Sequence, residues 1–390
     1  MKNNFPIFTK NPELRYFDSA ATALKPQVLV DSISNFYSYE NAPVHRAGYL
    51  LAGNASEKYE NARKTIANYL GVSEKKIAFT SGATDAINKV AIAYSQKKLN
   101  GILISETEHH SNFLPWMNLA RTKKCDFFIA PYNSKTFYDF EFIEEKLKTK
   151  KINLIAISAM SNVLGQTGDL KKLVDLAHKY GAKILLDGAQ HICHSAEINL
   201  EKLGCDFYVF SGHKLYAPTG IGVLYIKNPE DLEPPFLGGG MIENVEKNNY
   251  TTADFPKSWE AGTPFSAQAI GLAEVMKWLE KNNFAQLILE EEKLVKMLKK
   301  GLKKLGAKIL GTAEKSLVSC SFEGVNSNDL GTMLGMKNIC VRAGKHCAHP
   351  LHCALNFSKP TLRFSLGIYN TKEDIEVALK ETKNTLEKLK

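Results

Sequence analysis

A chain of 390 residues, 44% hydrophobic and 23% charged, carries enough apolar material for a sizeable buried core and is neither disordered nor fibrous. Its net charge of +9 is spread along the sequence with no arginine-rich tract or zinc-finger spacing, so it reads as a solvated basic surface and no nucleic-acid partner is expected. Seven scattered cysteines argue for reduced thiols, no apolar run approaches the ~18 residues of a membrane span, and Met1 to Pro6 lack a signal-peptide pattern; a cytoplasmic protein without a membrane partner is expected.

From about residue 75 to 230, short β-branched and aromatic runs alternate with segments of helical period. The runs Ile77–Thr80, Ile102–Ser105, Phe127–Ala130, Asn153–Ser158, Lys183–Asp187, Asp206–Phe210 and Gly222–Ile226 predict strands. Between two of them, Leu170–Tyr180 places Leu170, Leu173, Val174 and Ala177 on one helical face, with Gly181 as its stop. Strands separated by helices imply an α/β fold with a mostly parallel sheet. Leu232–Thr263, with Pro234-Pro235, Gly238-Gly239-Gly240 and Pro256, reads as a long ordered loop near a domain boundary. An α+β tail follows: helices at Ala267–Glu280 and Glu290–Leu305, a strand near Ser316–Phe322, and a last helix opening at Thr371-Lys372-Glu373-Asp374, with Ile375, Leu379, Leu386 and Leu389 on one face. The domain division expected is a large unit over 15–265 and a small one built from 1–14 and 266–390.

The reactive-looking residues fall just past the strand ends, where open α/β sheets bind ligands. Thr80-Ser81-Gly82-Ala83-Thr84-Asp85 lies between the first strand and a helix expected at Ala86–Ala93, where free N–H groups suit a phosphate, although a capped helix after a tight turn is the plainer alternative. His109 and Asn162 follow the second and fourth strands. Asp187 ends the apolar run Ile184-Leu185-Leu186, where a buried carboxylate needs a cationic partner; a protonated pyridine nitrogen would serve, and so would a lysine or a helix cap. Gln190 lies just beyond. Ser211-Gly212-His213-Lys214 sets a lysine between glycine-rich turns and an apolar return strand, a desolvated setting that makes an amine nucleophilic.

Ser211–Gly222, Leu186-Asp187-Gly188-Ala189-Gln190 and Glu108-His109-His110 resemble the class V aminotransferases, pyridoxal 5′-phosphate (PLP) enzymes of fold type I, and the resemblance runs from Tyr16-Phe17-Asp18-Ser19-Ala20-Ala21 to Thr361-Leu362-Arg363-Phe364-Ser365. Within that family the chain is most similar to the Suf-type (group II) cysteine desulfurases. The resemblance implies a large PLP-binding domain with a seven-stranded, mostly parallel sheet and a smaller α+β domain. It implies that Lys214 binds the cofactor as a Schiff base, Asp187 pairs with the pyridine nitrogen, and His109 stacks over the ring. Gln190 and Asn162 would lie on the phenolic-oxygen side, and Ala83, Thr84, Ser211 and His213 at the phosphate. A homodimer is implied, with Thr263 of Ala261-Gly262-Thr263 crossing to the neighbour's phosphate.

The segment Val341-Arg342-Ala343-Gly344-Lys345-His346-Cys347-Ala348-His349-Pro350 bears on the reaction. A thiol flanked by Lys345 and His346, near Arg342, lies in an electropositive setting that favours thiolate. Alternatives from the residues alone are an inert half-buried cysteine, or a metal site among His346, Cys347, His349, His352 and Cys353. By the resemblance, Cys347 takes sulfur from the substrate, while Arg363, Arg342 and Asn162 meet the substrate carboxylate and no metal is needed. The implied partners are L-cysteine, with L-selenocysteine as the alternative, and a sulfur-acceptor protein of SufE or SufU type for iron–sulfur assembly or other thiolation. Rival readings are a selenocysteine lyase or other class V lyase or transaminase, and a metal-binding or regulatory protein without turnover. The chain departs from the usual pattern at Ala47-Gly48-Tyr49, at His349, where methionine is common, and at Cys353.

Overall fold

The computed structural model describes residues 1–149 and 151–389. Its centre is a seven-stranded sheet, with strands labelled in chain order β1 (Ile77–Thr80), β2 (Gly101–Ser105), β3 (Asp126–Ala130), β4 (Leu154–Ser158), β5 (Lys183–Asp187), β6 (Phe207–Ser211) and β7 (Gly222–Ile226). The spatial order is β1-β7-β6-β5-β4-β2-β3, and only β7 runs antiparallel to its neighbours. All seven predicted strands are present, each within a residue of its expected bounds.

Alternation explains why such continuous apolar runs are strands. Leu103, Ile155, Ile157, Leu186, Tyr208 and Val223 enter one core, while Ile102, Ile104, Ala156, Leu185, Val209 and Leu224 enter a second core on the opposite face. A sheet covered on both faces needs apolar residues at every position, as parallel sheets do. The helices Ala83–Ser95 and Leu114–Lys123 cover the second face through Ile87, Val90, Trp116 and Leu119. The first face is covered by Leu50–Tyr69, Leu170–Lys179 and Ser266–Lys281.

A second unit is built on a four-stranded antiparallel sheet in the order Lys308–Ile309, Leu317–Ser321, Thr361–Ser365, Arg342–Gly344. Phe284–Lys304, Ser327–Gly335 and Lys372–Leu389 pack on it around Val318, Leu330, Phe364 and Ile375. The last helix opens with the expected reciprocal cap, Thr371 Oγ1 accepting from Asp374 N at 3.2 Å and Asp374 Oδ2 from Thr371 N at 3.0 Å.

Ser266–Lys281 buries Leu272, Val275 and Met276 in the core on the first face of the seven-stranded sheet. Arg15–Tyr16 pairs in parallel with Ile339–Cys340, and Phe17 enters the core around the four-stranded sheet. The expected loop Leu232–Thr263 also holds a hairpin, Ile242–Val245 with Tyr250–Thr252, and the helix expected at Glu290–Leu305 starts earlier, at Phe284, because Asn283 caps it through Gln286 N. Among the described residues no helix is long and apolar enough to cross a membrane.

Candidate active site

Six strands point the same way, and the C-terminal ends of five of them, β1, β2, β4, β5 and β6, open on one cavity of about 190 Å³. It is lined by Ala83, Thr84, His109, Asn162, Asp187, Gln190, Ser211, His213, Lys214, Arg342 and Arg363. A strand returning beside two others can reach this mouth only without a side chain: a Cβ on Gly222 would lie 2.5 Å from Gly82 Cα.

Lys214 ends a short 3₁₀ turn, Gly212–Lys214, and three donors fix that turn by converging on the His213 carbonyl: Ala23 N at 3.0 Å, Thr22 Oγ1 at 3.3 Å and Lys25 Nζ at 2.9 Å. Burial lowers the pKa of Lys214, with Asp187 opposing the shift. Burial also raises Asp187, whose Oδ1 accepts from Ala189 N at 2.9 Å. A buried carboxylate on a strand end, with the half-buried Lys214 lining the same cavity and no ion pair made between them, is a poor arrangement for the protein alone and a good one for a ligand carrying a cationic nitrogen.

His109 is held by Ser111, whose N–H donates to His109 Nδ1 at 3.1 Å, and whose hydroxyl lies 3.0 Å from the same nitrogen and 2.8 Å from Thr84 Oγ1. Burial, and then the field of Lys214, lower the His109 pKa to about 3, so the ring is neutral and its proton sits on Nε2. Beneath it Glu108 is fully buried and accepts from Ser105 Oγ, Asn112 Nδ2, Ser158 N and Ser158 Oγ, which ties the end of β2 to that of β4. Burial pushes its pKa up to about 7.

Gln190 Nε2 donates to Ala20 O at 2.9 Å, leaving its buried Oε1 without a partner in the cavity wall. That orphaned amide end, Asp187, Lys214, and the hydroxyls of Thr84 and Ser211 form a donor and charge set that fits PLP, with its pyridine nitrogen, aldehyde and phosphate. Ser211 Oγ accepts from Ala83 N at 2.8 Å, binding the end of β6 to the start of the helix after β1. Thr263 is exposed and lies outside the cavity of its own chain.

The small unit closes the site with two arginines in register on adjacent strands, Arg342 and Arg363. Arg363 is 1% exposed; it donates to Asn162 O at 3.0 Å and Asp18 Oδ1 at 3.1 Å, and its Nε has no protein partner. Arg342 Nη2 lies 3.6 Å from Cys347 Sγ. Cys347 is half-buried at the rim, on a turn in which both His346 (φ 51°) and Cys347 (φ 56°) are left-handed, a conformation that costs a non-glycine residue about 1–3 kcal/mol. Both carbonyls of this turn are anchored on the large unit, His346 O by Asn162 Nδ2 at 2.7 Å and Cys347 O by His110 N at 2.8 Å.

One expectation about the rim is corrected. His346 supplies no charge to the thiol, because it is 2% exposed and burial lowers its pKa to about 2; the cation in contact is Arg342. His346 Nε2 and His352 Nε2 both lie 3.1 Å from Thr361 Oγ1, and His349 turns to His110, so these imidazoles already have partners within the protein. Ser111, Lys25, His110 and Thr361 were not singled out from the sequence. Ser111 had a local signal, a serine two residues after a histidine at a strand end; the others act through contacts between distant segments.

The family model for class-V aminotransferases matches residues 15–377. The chain belongs to the class-V aminotransferase family. Among its relatives in this family, a probable cysteine desulfurase of Vibrio cholerae is 38% identical, covering 95% of this chain and 93% of that protein. The cysteine desulfurase CsdA of Escherichia coli is 38% identical over 96% of this chain and 94% of its own length. Two solved structures superpose closely. The cysteine desulfurase of Thermococcus onnurineus NA1, in its apo form, has a TM-score of 0.94 at 33% identity, covering 99% of this chain and 97% of that one. The E. coli CsdA structure has a TM-score of 0.93 at 36% identity, covering 100% and 98%.

Proposed function

We propose that this class-V protein is a PLP-dependent cysteine desulfurase that converts L-cysteine to L-alanine and takes the sulfur onto Cys347 as a persulfide. The observation that carries the reading is the placement of Cys347: a half-buried thiol on a doubly left-handed turn, in contact with Arg342, which lines the cavity together with Lys214 and Asp187. An ordinary transaminase has no use for a thiol held there in a strained conformation.

PLP supplies an electron sink for charge developing at the substrate Cα. Lys214 would hold the cofactor, and its amine, which burial keeps more often unprotonated, would move the Cα proton. Asp187 would pair with the pyridine nitrogen and keep it protonated. The neutral His109 ring would lie over the cofactor ring, and Ala83, Thr84, Ser211 and His213 would hold the phosphate. Arg363, with its one unpartnered nitrogen, orients the substrate carboxylate together with Asn162, and Arg342 shares its charge between that carboxylate and the Cys347 thiolate. Cys347 Sγ then bonds to the substrate sulfur as the substrate C–S bond breaks, and alanine leaves after protonation at carbon. In a homodimer the exposed Thr263 would complete the neighbouring phosphate site. The persulfide passes to a thiol of a sulfur-acceptor protein in the cytoplasm.

The test is release of alanine and sulfide from L-cysteine by the purified protein, with and without reductant, beside Cys347→Ser. Equal yields that vanish in the variant, while its bound cofactor keeps its visible absorbance, are expected. Sulfide release at the native rate from Cys347→Ser would sink the role given to this thiol. Cofactor-bound protein inert toward cysteine but active on L-selenocysteine would redirect the reading to a lyase.

A further inference from the structure

Two histidines outside the cofactor cavity are joined beside the cysteine turn. His110 and His349 stack with ring centroids 4.9 Å apart at 27°, and His349 Nδ1 lies 3.0 Å from His110 Nε2. The backbone N–H of His349 also points at His110 Nε2, at 3.5 Å, which makes that nitrogen the acceptor. The hydrogen between the rings therefore belongs to His349 Nδ1, and His349 Nε2 keeps its lone pair. His349 is exposed, and His110, through its own N–H, holds the Cys347 carbonyl at 2.8 Å. Burial and the neighbouring His349 lower the His110 pKa, which keeps it neutral as an acceptor. The pair has the form of an oriented base: one imidazole free toward solvent, its tautomer set by the other, and the assembly tied to the residue that carries sulfur.

We propose that His349, oriented by His110, is the general base that deprotonates the incoming acceptor thiol when sulfur leaves Cys347; this rests on the desulfurase reading and extends it to the second half of the reaction. The acceptor R–SH gives its proton to His349 Nε2, and the resulting thiolate attacks the outer sulfur of the Cys347 persulfide. A new S–S bond forms to the acceptor, the bond to Cys347 Sγ breaks, and Cys347 leaves as a thiolate beside Arg342. The proton on His349 returns to solvent or to the product persulfide. No external oxidant or reductant is needed, because the sulfur is transferred without a net change in redox state.

The prediction concerns the acidity of the acceptor. An alkyl thiol is mostly protonated at neutral pH and needs a base, whereas an acidic aryl thiol is already ionised. Holoenzyme is loaded with one equivalent of L-cysteine, the loaded fraction is measured from the mass of the Cys347 persulfide and the alanine formed, and its discharge is followed at pH 7 with 2-mercaptoethanol or 4-nitrothiophenol. In His349→Gln, which keeps a polar side chain but no base, discharge to 2-mercaptoethanol per loaded site is expected to fall about tenfold or more. Discharge to 4-nitrothiophenol should stay within about twofold of wild type, and His110→Asn should show the same selectivity more weakly. Equal slowing toward both thiols would reduce the pair to a latch on the cysteine turn, and no slowing toward either would remove it from the chemistry. Failure of the wild type to form alanine on loading would overturn the desulfurase reading, and this inference with it.

Discussion

The floor and the rim of the cavity are built in different ways. On the floor, Asp187 and Lys214 sit at or just past the ends of β5 and β6, so their places follow from strand register and from a backbone turn whose carbonyl accepts three hydrogen bonds. At the rim, Cys347 stands on a turn with two consecutive left-handed residues, held by contacts to Asn162 and His110 from elsewhere in the chain and to Arg342 five residues before it. Regular structure suits a group that must stay rigid under a cofactor. A strained turn held by a few contacts suits the role proposed for this thiol, which meets first a substrate and then an acceptor.

If that contrast is right, floor substitutions stop alanine formation, while rim substitutions separate sulfur handling from cofactor binding. The largest effect is expected from Lys214→Ala, which should lower alanine formation by about 10⁴-fold and change the visible spectrum of the bound cofactor. Steady-state assay and absorbance on one preparation check both. Asp187→Asn should cost about 10²- to 10³-fold in kcat with the cofactor still bound, because it removes a charge the protein otherwise buries at a cost. Near-native turnover in that variant would break the account of the floor.

At the rim, Thr361→Val leaves the ring nitrogens of His346 and His352 without their shared hydroxyl, which should cost about 1–3 kcal/mol, seen as a lower denaturant midpoint. The loading rate of Cys347 should fall with it while the cofactor spectrum stays native; an altered spectrum would show that floor and rim are not independent.

The smallest effect is on pH dependence. The His346 pKa lies at about 2 in the fold against 6.5 for a free histidine, lowered first by burial and then by the field of Arg363. Above pH 6.5 both states are neutral and the group contributes nothing; below it the unfolded chain gains a proton that the folded chain refuses, so stability falls as pH falls. The slope for this one group approaches about 1.4 kcal/mol per pH unit. Unfolding free energies at pH 7 and pH 5 should therefore differ less in His346→Gln than in wild type.

The floor was legible in the sequence because strand ends are local features. The apolar runs that end at Asp187 and just before Ser211 and Lys214, with glycines nearby, state where the chain must turn and what it must leave at the mouth. The helices Gln27–Asn35 and Leu50–Tyr69 carry little signal in the sequence. In the longer one the buried face consists largely of Ala52, Ala55, Ala62 and Ala67, too weakly hydrophobic to mark a period. The charge state of His346 was misread because its burial depends on a strand that arrives with Thr361, and the pairing of His110 with His349 joins segments 239 residues apart.

By itself, then, the sequence determined the sheet, the crevice, the residues at its strand ends and, through long motifs, the family. Local chain propensities and apolar periodicity are properties of short stretches. Tertiary structure alone decided which imidazoles are neutral, which arginine touches Cys347 and how the cysteine turn is held. Those depend on desolvation and hydrogen bonds between residues that are neighbours only after folding.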